Sequence, residues 1–186
     1  YAASESSSVD VPQAEIDRIN AYFAPPILPL RAIDGFEKAL ANEEFARFVK
    51  FNTIAHKNDA YLAVTISLKP IGGIPGDATS EQMHFMADLA DKYSQSELRI
   101  SHVQNVVLPN VAKDDLFALW QELQTQNLAT ANIGLISDII ACPGLDYCAL
   151  ATARSIPIAQ EISKKFDTKT QEDFGDVSIK ISGCIN

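Results

Sequence analysis

The sequence predicts an α+β fold, and three observations carry that prediction. Residues 61–68 alternate apolar and polar side chains, as a strand with two unlike faces requires. Thr79-Ser80-Glu81-Gln82 is a capping box, and the apolar residues behind it recur at helical spacing. From residue 61 onward the elements run strand, helix, strand, strand, helix, an order that lays helices on one face of a small sheet.

Taken in order, residues 1–12, with Glu5-Ser6-Ser7-Ser8, read as a flexible arm. A short helix is expected from Gln13, with Ile16, Ile19 and Phe23 on one face, and Pro25-Pro26-Ile27-Leu28-Pro29 ends it as a stiff connector. Two further helical pieces are expected at residues 35–41 and 43–51, the second with Phe45, Phe48 and Val49 on one face. The chain then divides into an N-terminal arm with short helices (1–58), a sheet-and-helix unit (59–129) and a cysteine-bearing segment (130–186).

In the middle unit, Leu62, Val64, Ile66 and Leu68 form the apolar face of a half-buried strand. Gly72-Gly73-Ile74-Pro75-Gly76 reads as a turn, because no Lys-Ser or Lys-Thr follows to make it a phosphate cradle. The capped helix runs to about Tyr93 with Met86, Leu89, Ala90 and Tyr93 inward. Strands follow at 98–103 and 106–108, separated by Gln104-Asn105, and Pro109 is expected to stop the second. Asp114 or Asp115 opens the last helix, with Leu116, Leu119, Trp120 and Leu123 as its buried stripe and Asn127 as its C-terminal cap. If Leu98 and Ile100 face the core, Arg99 and Ser101 face the opposite side.

Composition narrows the partners. A net charge of −9 without a Lys/Arg cluster argues against nucleic acid and anionic membrane surfaces, and no apolar run reaches the length of a membrane span. The first residue is Tyr rather than Met, and nothing near it has the charged and apolar halves of a signal peptide, so the expectation is a cytoplasmic piece of a longer chain. His56, His84 and His102 share no ligand-like spacing, and no Gly-x-Ser-x-Gly elbow supports a hydrolase.

All three cysteines lie in the last quarter. An apolar run at 133–140 reads as a buried strand delivering Cys142, Cys142 and Cys148 flank a Pro-Gly turn, and Cys148 is expected to open a helix that Pro157 kinks or restarts after Ser155. Residues 166–176 read as a polar loop, and Val177, Ile179 and Ile181 as a strand leading to Cys184. Buried structural thiols, a disulfide and a metal site are the open alternatives, the odd count weighing against the disulfide.

The stretch from Asp138 to Cys148, together with Ser182-Gly183-Cys184-Ile185-Asn186, resembles the siroheme and [4Fe-4S] signature of the nitrite and sulfite reductase family. Thr79-Ser80-Glu81-Gln82-Met83, the segment from Ala87 to Tyr93, Leu98-Arg99-Ile100-Ser101-His102-Val103-Gln104-Asn105 and the helix after Asp114 are similar to the ferredoxin-like half domain of the same family. The family usually has Thr where Ser101 or His102 stands.

That resemblance implies a ferredoxin-like half domain followed by the beginning of a mixed α/β siroheme- and cluster-binding domain. It implies Cys142, Cys148 and Cys184 as metal ligands, with a fourth cysteine expected two positions after Asn186. Arg99, Gln104, Asn105 and Asn186 fall on the siroheme side. The implied activity is the six-electron reduction of sulfite to sulfide or of nitrite to ammonia, with electrons from ferredoxin or a flavoprotein. No catalytic acid or base is identified in the chain itself. Siroheme carries many carboxylates, so the remainder of the same polypeptide is expected to supply much of the cationic lining. The alternatives are a structural, partner-binding half without a complete cluster, and a zinc-binding protein using the three thiols with a fourth ligand.

Overall fold

The sheet is built from four antiparallel strands in the order β1-β2-β4-β3: β1 (Thr53–Ala55), β2 (Tyr61–Ile66), β3 (Arg99–Ile100) and β4 (Val106–Ala112). This computed structural model describes residues 11–185; the arm before Val11 and Asn186 lie outside the described residues. Strand β1 directly follows a helix, and it carries no alternation long enough to be read from sequence.

Apolar periodicity explains the core. Leu62, Val64 and Ile66 of β2 and Val106, Leu108 and Val111 of β4 turn to one side. Helix α4 (Ser80–Tyr93) covers them with Met86, Leu89, Ala90 and Tyr93, and α5 (Leu116–Thr125) with Leu116, Leu119, Trp120 and Leu123. Both stripes are the ones the helical spacing predicts. The capping box forms in full, Gln82 N donating to Thr79 Oγ1 at 3.2 Å and Thr79 N to Gln82 Oε1 at 3.0 Å. Asn127, in the left-handed region at φ 57°, ends the turn after α5.

The N-terminal helices also form as expected: α1 (Gln13–Tyr22), α2 (Asp34–Ala39) and α3 (Glu43–Asn52). Phe45 and Phe48 of α3 are fully buried, with Phe45 edge-on to Phe36 and Phe117. Helix α1 instead buries nothing completely, and Tyr22, Phe23, Ile27 and Leu30 stand largely exposed.

Strand expectations are corrected in four places. Pro109 does not stop β4: the register shifts between Leu62↔Val111 and Val64↔Leu108, leaving one extra β4 residue opposite Ala63. That bulge accommodates a residue with no N–H to donate. Strand β2 is covered on both faces rather than half-buried, since Tyr61, Thr65 and Ser67 are buried too and Tyr61 Oη donates to Pro29 O at 2.7 Å. Strand β3 contracts to two residues with Leu98 and Ile100 both exposed, because the turn at Ser101, closed by Ser101 N to Asn105 O at 2.8 Å, ends the ladder. The run 133–140 is not a strand. Gly134 at φ 76° breaks it into turns, and only β5 (Ile140–Ala141) pairs, in parallel with β6 (Lys180–Ile181).

Past Cys142 the chain departs from the expected helix. A single 3-10 turn, Gly144–Asp146, is followed by further turns, since Thr152 and Ala153 donate their N–H groups to Gly183 O at 2.8 and 3.0 Å instead of to a preceding helical turn. Helix α6 (Ile156–Ser163) starts only after Ser155, with Pro157 in its first turn, where its missing N–H costs nothing. Residues 166–176, expected as loop, contain α7 (Thr168–Phe174), capped by Asp167 accepting from Thr170 N at 2.7 Å. The C-terminal segment keeps its own small core of Ile139, Ala141 and Ala159 against Ile162, Ile179 and Ile181.

Candidate functional site

Cys142 stands at the end of β5, where the sheet pairing stops. Cys142 N donates to Ile181 O at 3.0 Å, and the chain then turns at Pro143-Gly144. Two glycines make the next contact possible. A Cβ on Gly183 falls 2.7 Å from Gly144 Cα and from Ala153 O, and one on Gly144, at φ 61°, falls 2.6 Å from Ser155 Oγ. Only bare backbone fits at this crossing, which brings the loop carrying Cys184 against the loop carrying Cys142.

The crossing aims a backbone N–H at sulfur. Gly183 N donates to Cys142 Sγ at 3.0 Å, and Ser155 Oγ lies 3.7 Å from the same sulfur while also donating to Cys142 O. The Gly183 N–H above all holds the Cys142 thiol below the usual cysteine range, against a smaller opposing effect of burial. The Gly183 N–H aimed at sulfur favours a thiolate.

Cys148 and Cys184 are placed differently. Cys148 follows the 3-10 turn, its N–H donating to Gly144 O at 2.8 Å, so the helix N-terminus expected there does not form. Cys184 Sγ lies 3.7 Å from Ser182 Oγ, and all three thiols are free and partly buried. The two loops converge, yet among the described residues no three His, Cys, Asp or Glu side chains come close enough together to hold a metal ion. The Cys142 surroundings therefore fit a thiolate ligand, while the three thiols do not form a gathered ligand set.

The other expected site residues divide between two regions. Gln104 and Asn105 lie at the junction with the cysteine segment. Gln104 Nε2 donates to Ala141 O at 3.0 Å and Gln104 Oε1 accepts from Ala141 N at 3.2 Å. Asn105 is fully buried, accepting from Leu68 N and donating to Asp138 Oδ1 at 3.1 Å each. Arg99 stands apart on the exposed edge strand, where its Nε donates to Glu97 Oε1 at 2.7 Å. It lines a cleft of about 960 Å³ between the outer sheet face and the Tyr22–Leu28 stretch, together with His56, Ala63, Pro109 and Asn110. Asn186 lies outside the described residues.

Sequence reasoning missed a buried ion pair at the same junction. Lys69 Nζ meets Asp138 Oδ1 at 2.6 Å and donates to Val103 O at 2.6 Å, with the Lys69 side chain 2% exposed. A lone Lys after an apolar strand and a lone Asp inside an apolar run were the available signals. Ser155 and Gly183 were missed as well, since nothing local marks a residue that acts across a crossing of two loops.

The comparisons with known proteins agree with this architecture. The family model described as the nitrite/sulfite reductase ferredoxin-like half domain matches residues 54–126. The chloroplastic ferredoxin-nitrite reductase of Zea mays is 38% identical over 96 residues, 48% of this chain and 17% of that protein. The chloroplastic ferredoxin-nitrite reductase of Arabidopsis thaliana is 27% identical over 135 residues, 70% of this chain and 22% of that one. The structure of the Mycobacterium tuberculosis NirA protein superposes with a TM-score of 0.59 at 20% identity, covering 72% of this chain and 24% of that one, and shows a shared fold. The chain thus spans only about a fifth of the length of the relatives it matches. Residues 54–126 thus match the nitrite/sulfite reductase ferredoxin-like half domain, and the fold is shared with the NirA protein.

Proposed function

We propose that this chain is part of a siroheme- and [4Fe-4S]-dependent reductase that reduces nitrite to ammonia with electrons from ferredoxin. The choice of nitrite over sulfite, and of ferredoxin over a flavoprotein, rests on the relatives, which are named ferredoxin-nitrite reductases. The observation that carries the cofactor reading is the Cys142 crossing, where the Gly183 N–H favours the deprotonated sulfur that a cluster ligand needs. Cys148 and Cys184 are its proposed co-ligands, and when bound the cluster supplies electron storage beside the siroheme.

Within this reading the chain's own residues hold and orient. The half domain presents Arg99 at its exposed edge as a cation for the siroheme carboxylates, and Gln104 and Asn105 act from behind the cysteine segment, with Asn186, two positions after Cys184 in the sequence, as a further proposed cofactor residue. The net charge of −9 leaves the remaining cations to other parts of the polypeptide. The proposed division of the chain is an arm with short helices at 1–58, the half domain at 59–129 and the start of the cofactor domain at 130–186. No helix among the described residues is long and apolar enough to cross a membrane.

A second reading is favoured by one observation, the scattered thiols among the described residues: a structural half that packs on a partner without a complete cluster. Anaerobic reconstitution with iron and sulfide, read by absorbance and iron content, separates the two. A brown, iron-loaded protein that becomes colourless in Cys142→Ser supports the reductase. A protein that never retains iron leaves the structural half.

A further inference from the structure

Among the described residues, strand β5 has two edges and one partner strand. Ile140 N and Cys142 N point to β6, donating to Ile179 O and Ile181 O at 3.0 Å each. By the alternation of a strand, Ala141 N–H and C=O point the other way, to an edge where no strand pairs. There the Gln104 amide meets both, accepting from Ala141 N at 3.2 Å and donating to Ala141 O at 3.0 Å. A primary amide offers the same donor and acceptor as a peptide group, so one side chain takes the place of a missing strand.

The surroundings are shaped to hold that amide. Gln104 adopts φ 59°, unusual for a residue with a Cβ, inside the turn closed by Ser101 and Asn105. Gly76 lies against its stem, and a Cβ there falls 2.9 Å from Gln104 Cβ. Three residues before Ala141, Asp138 is held by Lys69 and Asn105 of the same unit.

We infer that Gln104 is a positioning residue that sets the register of the Cys142 segment on the half domain by acting as a one-residue strand against Ala141. Its side chain fixes the peptide immediately before Cys142, and the Lys69–Asp138 pair fixes the chain upstream. The inference concerns placement of Cys142 and stands whether or not that sulfur binds a cluster.

Amide hydrogen exchange of the cluster-free full chain, read by mass spectrometry alongside iodoacetamide labelling of each cysteine, tests it. Gln104→Asn keeps the amide and suits positive φ but is one methylene too short to reach Ala141. Its expected effect is exchange at Ala141 about tenfold faster, the scale of losing two ordinary hydrogen bonds, and faster labelling of Cys142 relative to Cys148 and Cys184. Protection of α4 stays unchanged. Gln104→Glu keeps an acceptor for Ala141 N–H and is expected to retain protection there. Wild-type exchange at Ala141 in Gln104→Asn overturns the proposal, as does a rise spread equally over α4, which is the mark of general destabilisation.

Discussion

Gly183 donates its backbone N–H to the sulfur of Cys142, 3.0 Å away and 41 residues earlier in the chain. The bond favours the thiolate and holds the folded Cys142 thiol below its ordinary value. Because folding depresses this pKa, the stabilisation it contributes is fully present above the unfolded value and disappears as pH falls through the folded one. The alkylation rate of Cys142 in cluster-free protein is expected to reach half its plateau below the midpoint of a small free thiol. A midpoint at or above that of the free thiol contradicts the assigned bond.

The same crossing has no room for a side chain at Gly183. A methyl there meets Ala153 O and Gly144 Cα, both backbone atoms that cannot swing aside. Gly183→Ala is expected to destabilise the chain by about 1–3 kcal/mol, the usual scale of overpacking, and to accelerate labelling of Cys142. Urea midpoints for the two proteins measure the first effect, and coincident midpoints would mean that the loops are not in contact.

Lys69 and Asp138 form a pair from which water is nearly excluded, with side chains 2% and 10% exposed. Removing one partner strands the other, so Lys69→Met is expected to cost about 3–5 kcal/mol. Adding Asp138→Asn to Lys69→Met should recover part of that loss, because the orphaned charge is gone. A double-mutant cycle by denaturant unfolding reads the coupling, and simple additivity argues against the pair.

Leu116 is fully buried under the sheet and Trp120 nearly so, beside Phe45 and Phe117. Leu116→Ala is expected to lose about 2–5 kcal/mol through lost transfer energy and the cavity left behind. Chemical denaturation measures this directly, and a change near zero would place that helix face outside the core.

Helix α4 tests the sequence-level signal in isolation. Thr79→Ala removes the acceptor for Gln82 N and is expected to cost about 1 kcal/mol, whereas Thr79→Ser should restore most of it. Equal melting temperatures for all three proteins would show that the cap contributes nothing measurable.

Local chemistry made the half domain legible. The stripe Met86, Leu89, Ala90 and Tyr93, the stripe Leu116, Leu119, Trp120 and Leu123, the capping box and the Asn127 cap depend on residues within one or two helical turns, and each stands as its spacing predicts. The clustering of the three cysteines in the last quarter was legible too.

Tertiary structure decided what depends on partners distant in sequence. The apolar run at 133–140 and the stretch after Cys148 read as regular elements, but Asp138 turns back to bond Gly134 N, and Gly183 O captures the N–H groups of Thr152 and Ala153. Pro109 reads as a stop until a bulge opposite Ala63 accommodates it. Which donors surround Cys142, and that Gln104 reaches Ala141 37 residues away, follow from the crossing of segments brought together by the folded chain. A side chain's neighbours along the chain set its local conformation, whereas hydrogen bonds and close packing between remote segments set what its atoms meet.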